Sequence, residues 1–420
     1  MAKRVQSVKG TRDLLPPETA VWAAVEAVAR RVFGIYGYGE IRTPVLEETE
    51  LFVRGVGEST DIVGKEMYTF ADKKGRSLTL RPENTAPVAR AYVEHGMQNL
   101  VAPVKLFYIG PQFRYERPQK GRYRQFYQIG AEIIGESGPY SDAELLLMLV
   151  SFLRELHFTE LVVLLNTVGD KESRFEYAGK LRAYLQPLQE HLSEDSRRRL
   201  VTNPLRILDT KDPKEKELLL DAPRLVDCLS DESRRHFEKL CDLLTRFGLR
   251  YRLETKLVRG LDYYSDTVFE IVSGNLGAQD AIVGGGRYDG LVASLGGPQR
   301  AAIGFAIGED RLVDLLPDSF RGACLKAPLV AVASVDPVDT AEALSFAEEL
   351  RRHGVDAIVE FASRSIKSVL DRASRVGCRF VVLIGEDELS SSTVTFKNLS
   401  SGEQVRLPRA AAIEHLKETA

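Results

Sequence analysis

The sequence predicts a multidomain protein of mixed α+β and α/β class, and three observations carry that prediction. Runs rich in Val, Ile, Tyr and Phe recur at 106–110, 125–135, 161–165, 268–272 and 281–284, and they read as buried strands. Between the third and fourth runs, residues 169–248 are dominated by Glu, Lys, Arg and Leu, which reads as a helical insertion with a solvated surface. From about residue 328 strands and helices alternate, the pattern of a small α/β unit with a mostly parallel sheet. The expected organisation is a main domain made of 1–168 and 249–316, an insertion at 169–248, a linker at 317–327 and a terminal domain at 328–420.

The elements follow in chain order. After Pro16 and Pro17, Val21, Val25, Val28 and Val32 fall at helical spacing, with Gly34 as a stop. Residues 38–51 are extended or turning around Pro44. A short strand at 77–80 precedes a helix over about 83–95. A helix at 141–156 carries Leu145, Met148, Leu149 and Phe152 on one face. Strand character returns at 251–257 after the insertion. Glycine then becomes dense from Gly284 to Gly308, where a tight bend is the plain reading of Gly284, Gly285 and Gly286. Pro317, Gly322 and Pro328 mark a loop at 316–328. Beyond it come strands at 329–333, 356–360, 379–385 and 393–398, and helices at 339–353 and 363–376 with a final helix at the end.

Composition excludes several classes. With 44% apolar and 28% charged residues and a formal charge of −3, the chain has an ordinary globular balance, not the strong positive charge of a dedicated polyanion binder. A local basic patch remains compatible with nucleic acid. Cys228, Cys241, Cys324 and Cys378 lack the two-to-four-residue spacing of a zinc ribbon and read as reduced, partly buried side chains. No apolar run approaches the ~20 residues of a membrane span, and residues 1–10 lack a signal-peptide core. A cytoplasmic location is expected.

Five segments bear chemistry. In 107–135, Arg114, Arg117, Lys120, Arg122 and Arg124 stand against the single Glu116, interleaved with Tyr115, Tyr123, Phe126 and Tyr127. Arginine forks suit phosphate oxygens and the rings suit a base. A charged hairpin tip in water has the same composition. In 257–272, Arg259 precedes Asp262, Tyr263 and Tyr264; it faces an anionic ligand or pairs with Asp262 or Glu270. The glycine-rich 281–291 lets a ligand approach the backbone, or merely bends. Residues 301–312 run from a strand through glycines into a helix with Arg311 near its start, aimed at an anion or at solvent. At 78–90, Glu83 and Thr85 either cap a helix or meet a ligand.

Taken in order, the Pro44 region, the Arg114 loop and residues 304–311 resemble motifs 1, 2 and 3 of class II aminoacyl-tRNA synthetases. The His-Ile-Gly-His and Lys-Met-Ser-Lys-Ser signatures of the other synthetase class are missing. LVRGLDYY (257–264) and GGGRYDGL (284–291) resemble the two histidine-specific signatures of histidyl-tRNA synthetases. The resemblance spans the chain, from the Lys9–Asp13 run KGTRD to the terminal domain.

The resemblance implies a class II catalytic domain, an antiparallel sheet flanked by helices, with the helical insertion touching the tRNA acceptor arm and a C-terminal α/β anticodon-binding domain. It implies that L-histidine is activated with ATP to the adenylate and transferred to the 3′ end of tRNA(His). Glu83, Thr85 and Gln128 would hold the α-amino group. Glu132 and Tyr264 would read the imidazole, with Tyr288 nearby. Arg259 and Arg114 would serve the α-phosphate, Glu116, Arg122, Phe126 and Arg311 the rest of ATP, and Mg2+ the phosphates, its protein ligands unknown. Arg117 and Gln119 would approach the acceptor stem. A homodimer is expected, with the motif 1 region at its interface. The nearest alternative is a non-catalytic relative, a regulatory subunit of ATP phosphoribosyltransferase. A sensor of uncharged tRNA and a generic ATP- or RNA-binding module are more distant.

Overall fold

The structure, a computed structural model, describes residues 5–57, 60–118, 121–210, 212–258, 260–273, 281–324, 329–335, 338–361 and 365–419. The chain divides into two compact units, Met1–Cys324 and Leu325–Ala420.

The first unit is built on an eight-stranded sheet. Its spatial order is Gly39–Glu40, Val104–Phe113, Gln125–Ile134, Ala302–Gly308, Ala281–Arg287, Ser265–Ser273, Leu161–Thr167 and Tyr251–Leu253. The six central strands are antiparallel, and the two short edge strands pair parallel. Strand alternation splits the side chains by face. Ile129, Ala131 and Ile133 join Ile303, Phe305 and Phe269 in the main core, under helices Glu18–Ile35 and Pro139–Glu155. The long helix forms because Val21, Val25, Ala29, Val32 and Phe33 give it one buried stripe. Phe33 fills the centre, 5.5 Å from the Phe107 ring and 5.9 Å from that of Phe305. The opposite face of the sheet carries the polar positions considered below.

Residues 171–246 form the helical insertion, with a core of Leu181, Leu185, Leu200, Ile207 and Leu219 that continues into Leu164 and Val268 of the sheet. A separate three-stranded sheet (Leu46–Glu48, Ser77–Leu80, Tyr68–Ala71) was not foreseen beyond its middle strand. Arg81 locks it: this buried side chain donates from Nε to the Pro111 carbonyl at 3.0 Å and from Nη1 to that of Thr43 at 2.8 Å.

Three expectations change. Gly284–Gly286 do not bend but run inside strand Ala281–Arg287; a Cβ at Gly285 would meet the Gly304 carbonyl at 2.4 Å and the Phe269 ring at 2.6 Å, and one at Gly286 the Thr267 carbonyl at 2.5 Å. Helix Asp318–Cys324 stands where a loop was read, seated by Phe320 in the main core. The second unit's sheet is mixed, not mostly parallel. Ala357–Val359, Val330–Ser334 and Phe380–Ile384 are parallel, but Thr393–Asn398 and the unforeseen Gln404–Pro408 are antiparallel. Gly402, at φ 75°, supplies the left-handed residue of that last hairpin. Among the described residues no helix is long and apolar enough to cross a membrane.

One buried group destabilises this fold. Glu309 has no exposed surface, and neither carboxyl oxygen has a hydrogen-bond partner among the described residues. Burial first, then Glu26 and Asp310, pushes it from 4.5 to about 9. The folded protein therefore holds a proton that the unfolded chain releases above pH 4.5, so this group lowers stability as pH rises from 4.5 to 9. Glu309→Gln is expected to raise stability at pH 8 by on the order of 2 kcal/mol, seen as a higher melting temperature, with little gain at pH 4.5. Thermal melts of both proteins across that range check it; an equal gain at both pH values would contradict it.

Candidate active site

The site lies on the sheet face turned away from the main core. Gln128 and Glu132 project from Gln125–Ile134, and Gly304 stands opposite Glu132 in the neighbouring strand. A side chain at 304 is impossible beside that carboxylate: a Cβ there would sit 1.6 Å from Glu132 Oε2. Gly286 makes the same allowance for Tyr264, whose ring would lie 2.9 Å from a Cβ. The glycine density thus clears room for functional side chains.

Glu132 is fully buried. Thr85 Oγ1 donates to Glu132 Oε1 at 2.8 Å, and the Tyr288 hydroxyl donates to Oε2 at 2.7 Å. Two neutral donors do not offset desolvation, so burial pushes Glu132 up to about 8. Tyr263 bridges the aromatic wall, its ring 4.8 Å from that of Tyr264 and 5.7 Å from that of Tyr288. Glu83 accepts the backbone N–H groups of Thr85 and Ala86, both at 2.9 Å, at the start of helix Thr85–Glu94. It therefore caps the helix, while the Thr85 hydroxyl is spent on Glu132. Gln128 is buried, and its Oε1 has no hydrogen-bond partner among the described residues.

Arg114 borders this pocket. Its Nε donates to the Pro82 carbonyl at 2.9 Å, and its guanidinium lies 5.2 Å from the centre of the Phe126 ring. Glu116 draws Arg114 and Arg122 together, at 3.8 and 3.6 Å. Arg311 sits in the first turn of helix Glu309–Leu315 and is partly exposed. Its neighbour Asp310 pairs with Arg12 at 3.0 Å and accepts the Tyr127 N–H at 2.9 Å. Arg12 also lies 4.6 Å from the Tyr123 ring, so the KGTRD run is stitched to the arginine loop. Arg117 is exposed. Arg259 and Gln119 lie outside the described residues. Among the described residues, no group of three or more His, Cys, Asp or Glu could hold a metal.

The structure therefore gathers Glu83, Thr85, Glu132 and Tyr288 in direct contact, with Tyr264 joined to them through Tyr263, and it sets Arg114, Glu116, Arg122 and Phe126 together. Asp262, read as one partner for Arg259, accepts from Arg206 and Asn203; its pairing with Arg259 lies outside the described residues.

Sequence reasoning missed the network that holds the pocket. Asp142, fully buried in the first turn of Pro139–Glu155, accepts from Arg287 Nη1 at 2.5 Å and from Thr267 Oγ1 at 2.7 Å, and lies 2.8 Å from His236 Nε2. Burial alone would raise Asp142, but Arg287 and His236 outweigh it and hold it below the usual carboxylate range. Arg287 immediately precedes Tyr288. One signal was available: an arginine among buried strand residues needs a buried acid.

Glu132 yields a prediction with two readouts. Its folded value near 8 against 4.5 means that its burial costs stability increasingly between those pH values. Glu132→Gln is therefore expected to melt higher than the parent at pH 8, yet to lose histidine affinity while ATP affinity holds. Calorimetry with each ligand tests this; a variant that binds histidine normally contradicts the ring-reading role.

A family model described as histidyl-tRNA synthetase matches residues 10–312, and one described as an anticodon binding domain matches 329–419. A histidine–tRNA ligase from Halothermothrix orenii is 46% identical over 419 residues, 99% of each chain. The crystal structure of apo S. aureus histidyl-tRNA synthetase aligns with TM-score 0.82 at 35% identity, covering 99% of this chain and 100% of that one. An ATP phosphoribosyltransferase regulatory subunit/histidyl-tRNA synthetase from Bacillus halodurans shares the fold at TM-score 0.68 and 22% identity, covering 92% of this chain and 100% of that one.

Proposed function

The chain belongs to the histidyl-tRNA synthetase family, and from that premise we propose that it activates L-histidine with ATP and transfers it to the 3′ end of tRNA(His). The observation that carries this reading is Glu132, fully buried between Thr85 and Tyr288 with Arg114 on the rim of the same pocket. Reading an imidazole requires a group for each ring nitrogen. Glu132 and Tyr264 are a carboxyl and a phenol on one aromatic wall. Glu83, Thr85 and Gln128 supply oxygen acceptors for the α-ammonium group.

The chemistry is in-line displacement. An oxygen of the histidine carboxylate attacks the α-phosphorus of ATP, the bond to the bridging oxygen breaks, and pyrophosphate leaves with its electron pair. A ribose hydroxyl of the tRNA end then attacks the acyl carbon of the adenylate and releases AMP. The protein's work is positioning and neutralising charge, which suits fixed guanidinium groups. Arg259 and Arg114 serve the α-phosphate, Arg122 and Arg311 the remaining phosphates, and Phe126 stacks on adenine. Arg117 and Gln119 extend toward the acceptor stem.

Magnesium, when bound, neutralises the phosphates, and it commonly takes most of its ligands from phosphates and water with one or two carboxylates. Glu116 and Glu66 fit that need. The Tyr115 N–H donates to the Glu66 carbonyl at 2.7 Å, which brings Glu66 beside the arginine loop that carries Glu116, and burial first, then Glu116, raises Glu66.

A homodimer in the cytoplasm completes the reading. Leu46 and Phe70, on the small sheet next to Pro44, are 44% and 47% exposed, an apolar face suited to a second copy.

The regulatory-subunit alternative shares the fold, so the fold does not choose between them. Arg114, Arg122, Arg259 and Arg311 and the Leu325–Ala420 unit favour the ligase. Histidine-dependent exchange of pyrophosphate into ATP decides: a folded dimer without exchange would return the regulatory reading. Arg259→Ala is expected to melt like the parent but to lose exchange by about 100-fold or more; unchanged turnover would remove its role. Light scattering is expected to give twice the 46.8 kDa chain mass.

A further inference from the structure

Residues 260–264 lie outside any strand, yet they end at Tyr264 in the aromatic wall. Three polar side chains of the helical insertion grip them. Asn203 Nδ2 donates to Asp262 Oδ1 at 3.0 Å. Arg206 donates to the same oxygen from Nη2 at 3.0 Å and from Nε at 3.2 Å, and Nη2 also reaches the Gly260 carbonyl at 3.1 Å. Arg174 Nη1 donates to the Tyr264 carbonyl at 2.6 Å. On the other side Asp262 closes against the end of helix Thr49–Val56: its N–H donates to the Val56 carbonyl at 3.3 Å, and a Cβ on Gly57 would meet its Oδ2 at 2.5 Å.

Packing shares this task only in part: Val258 and Tyr264 touch the insertion's core, but the contact is incomplete. A cavity of about 610 Å3 lies between the insertion and the segment, lined by Lys171, Phe175, Leu205, Arg206, Val258 and Tyr264. Close packing throughout would resist a shift of Tyr264 by itself, whereas the cavity leaves more of that task to the hydrogen bonds at its rim. Those bonds come from a guanidinium fork on a carboxylate and from cations on carbonyls, the stronger and more directional kinds.

We propose that Arg206, Asn203 and Arg174 are positioning residues for histidine recognition: the insertion, through them, sets where Tyr264 stands in the pocket. The inference rests on the reading that Tyr264 faces the imidazole. It adds a task for the insertion that needs no tRNA, since the contacts exist within one chain and act on the amino-acid step.

Pyrophosphate exchange by the full chain tests it, with KM measured separately for histidine and ATP. Arg206→Leu is expected to raise the histidine KM about 10-fold or more, the effect of losing a hydrogen bond to a charged group, and to leave the ATP KM within about twofold. Arg206→Lys keeps the charge but not the fork and is expected to fall between. Asn203→Ala, the milder change, is expected to move the histidine KM about threefold with the melting temperature unchanged, and it decides the matter if Arg206→Leu does not fold. Tyr264→Phe separates the two readings. If it raises the histidine KM while the Arg206 and Asn203 variants do not, the grip has no role and the pocket reading stands. If Tyr264→Phe leaves the histidine KM unchanged, the pocket reading itself fails. Equal rises in both KM values together with a lower melting temperature would make the contacts merely structural and overturn the proposal.

Discussion

The pocket depends on one charged pair that never meets a ligand. Asp142 and Arg287 are both buried, and the pair joins four segments through a single carboxylate. Helix Pro139–Glu155 contributes Asp142, strand Ser265–Ser273 Thr267, strand Ala281–Arg287 Arg287, and helix Asp231–Arg246 His236. Two of these segments adjoin pocket residues, since Tyr264 precedes one strand and Tyr288 follows the other. A buried pair of this kind is weak evidence of stability, because desolvation offsets most of the attraction. Its clear effect is geometric. A fork on a carboxylate has few satisfactory arrangements, and the strand ends inherit that restriction.

Glu132 shows the same residue chemistry in the opposite regime. Asp142 has a guanidinium and an imidazole for partners and is held low, whereas Glu132 has only hydroxyls and is pushed up to about 8. One carboxylate is a permanent anion of the scaffold. The other is kept close to neutral until something arrives that rewards its charge. Burial is complete for both, so the neighbours alone set the difference.

Much of this was legible in the sequence because it is local. The arginine loop at 114–125 declared itself by composition, and the long helices by their apolar spacing. The insertion showed as a change of texture. What could not be read was anything requiring two distant segments at once. Arg287 and Asp142 are 145 residues apart, and neither position has a pattern that names the other. Gly284–Gly286 misled for a related reason: glycine signals freedom at a bend and vacancy within a strand, and only the neighbouring strands distinguish them. The edge strand Gln404–Pro408 was missed although Val405 and Leu407 alternate with Gln404 and Arg406, because the run is only five residues long, mostly exposed and ends in a proline. Within the pocket, the residue types pointed to chemistry, but the spending of the Thr85 hydroxyl on Glu132 needed coordinates.

The bare backbone at Gly304 constrains how this site can change over generations. The volume that a methyl group would need there is already filled by the carboxylate across the strand. A chain that exchanged Glu132 for a smaller side chain would relax the requirement at 304 only in part, since a Cβ there would still stand 2.8 Å from the Ala131 carbonyl; a later substitution at 304, made with a backbone shift, would then forbid the return. The two positions form a ratchet: either change alone is penalised or reversible, and the two together are locked. Ancestry in such a pocket should therefore be written in pairs of residues, with the silent glycine as informative as the acid that faces it.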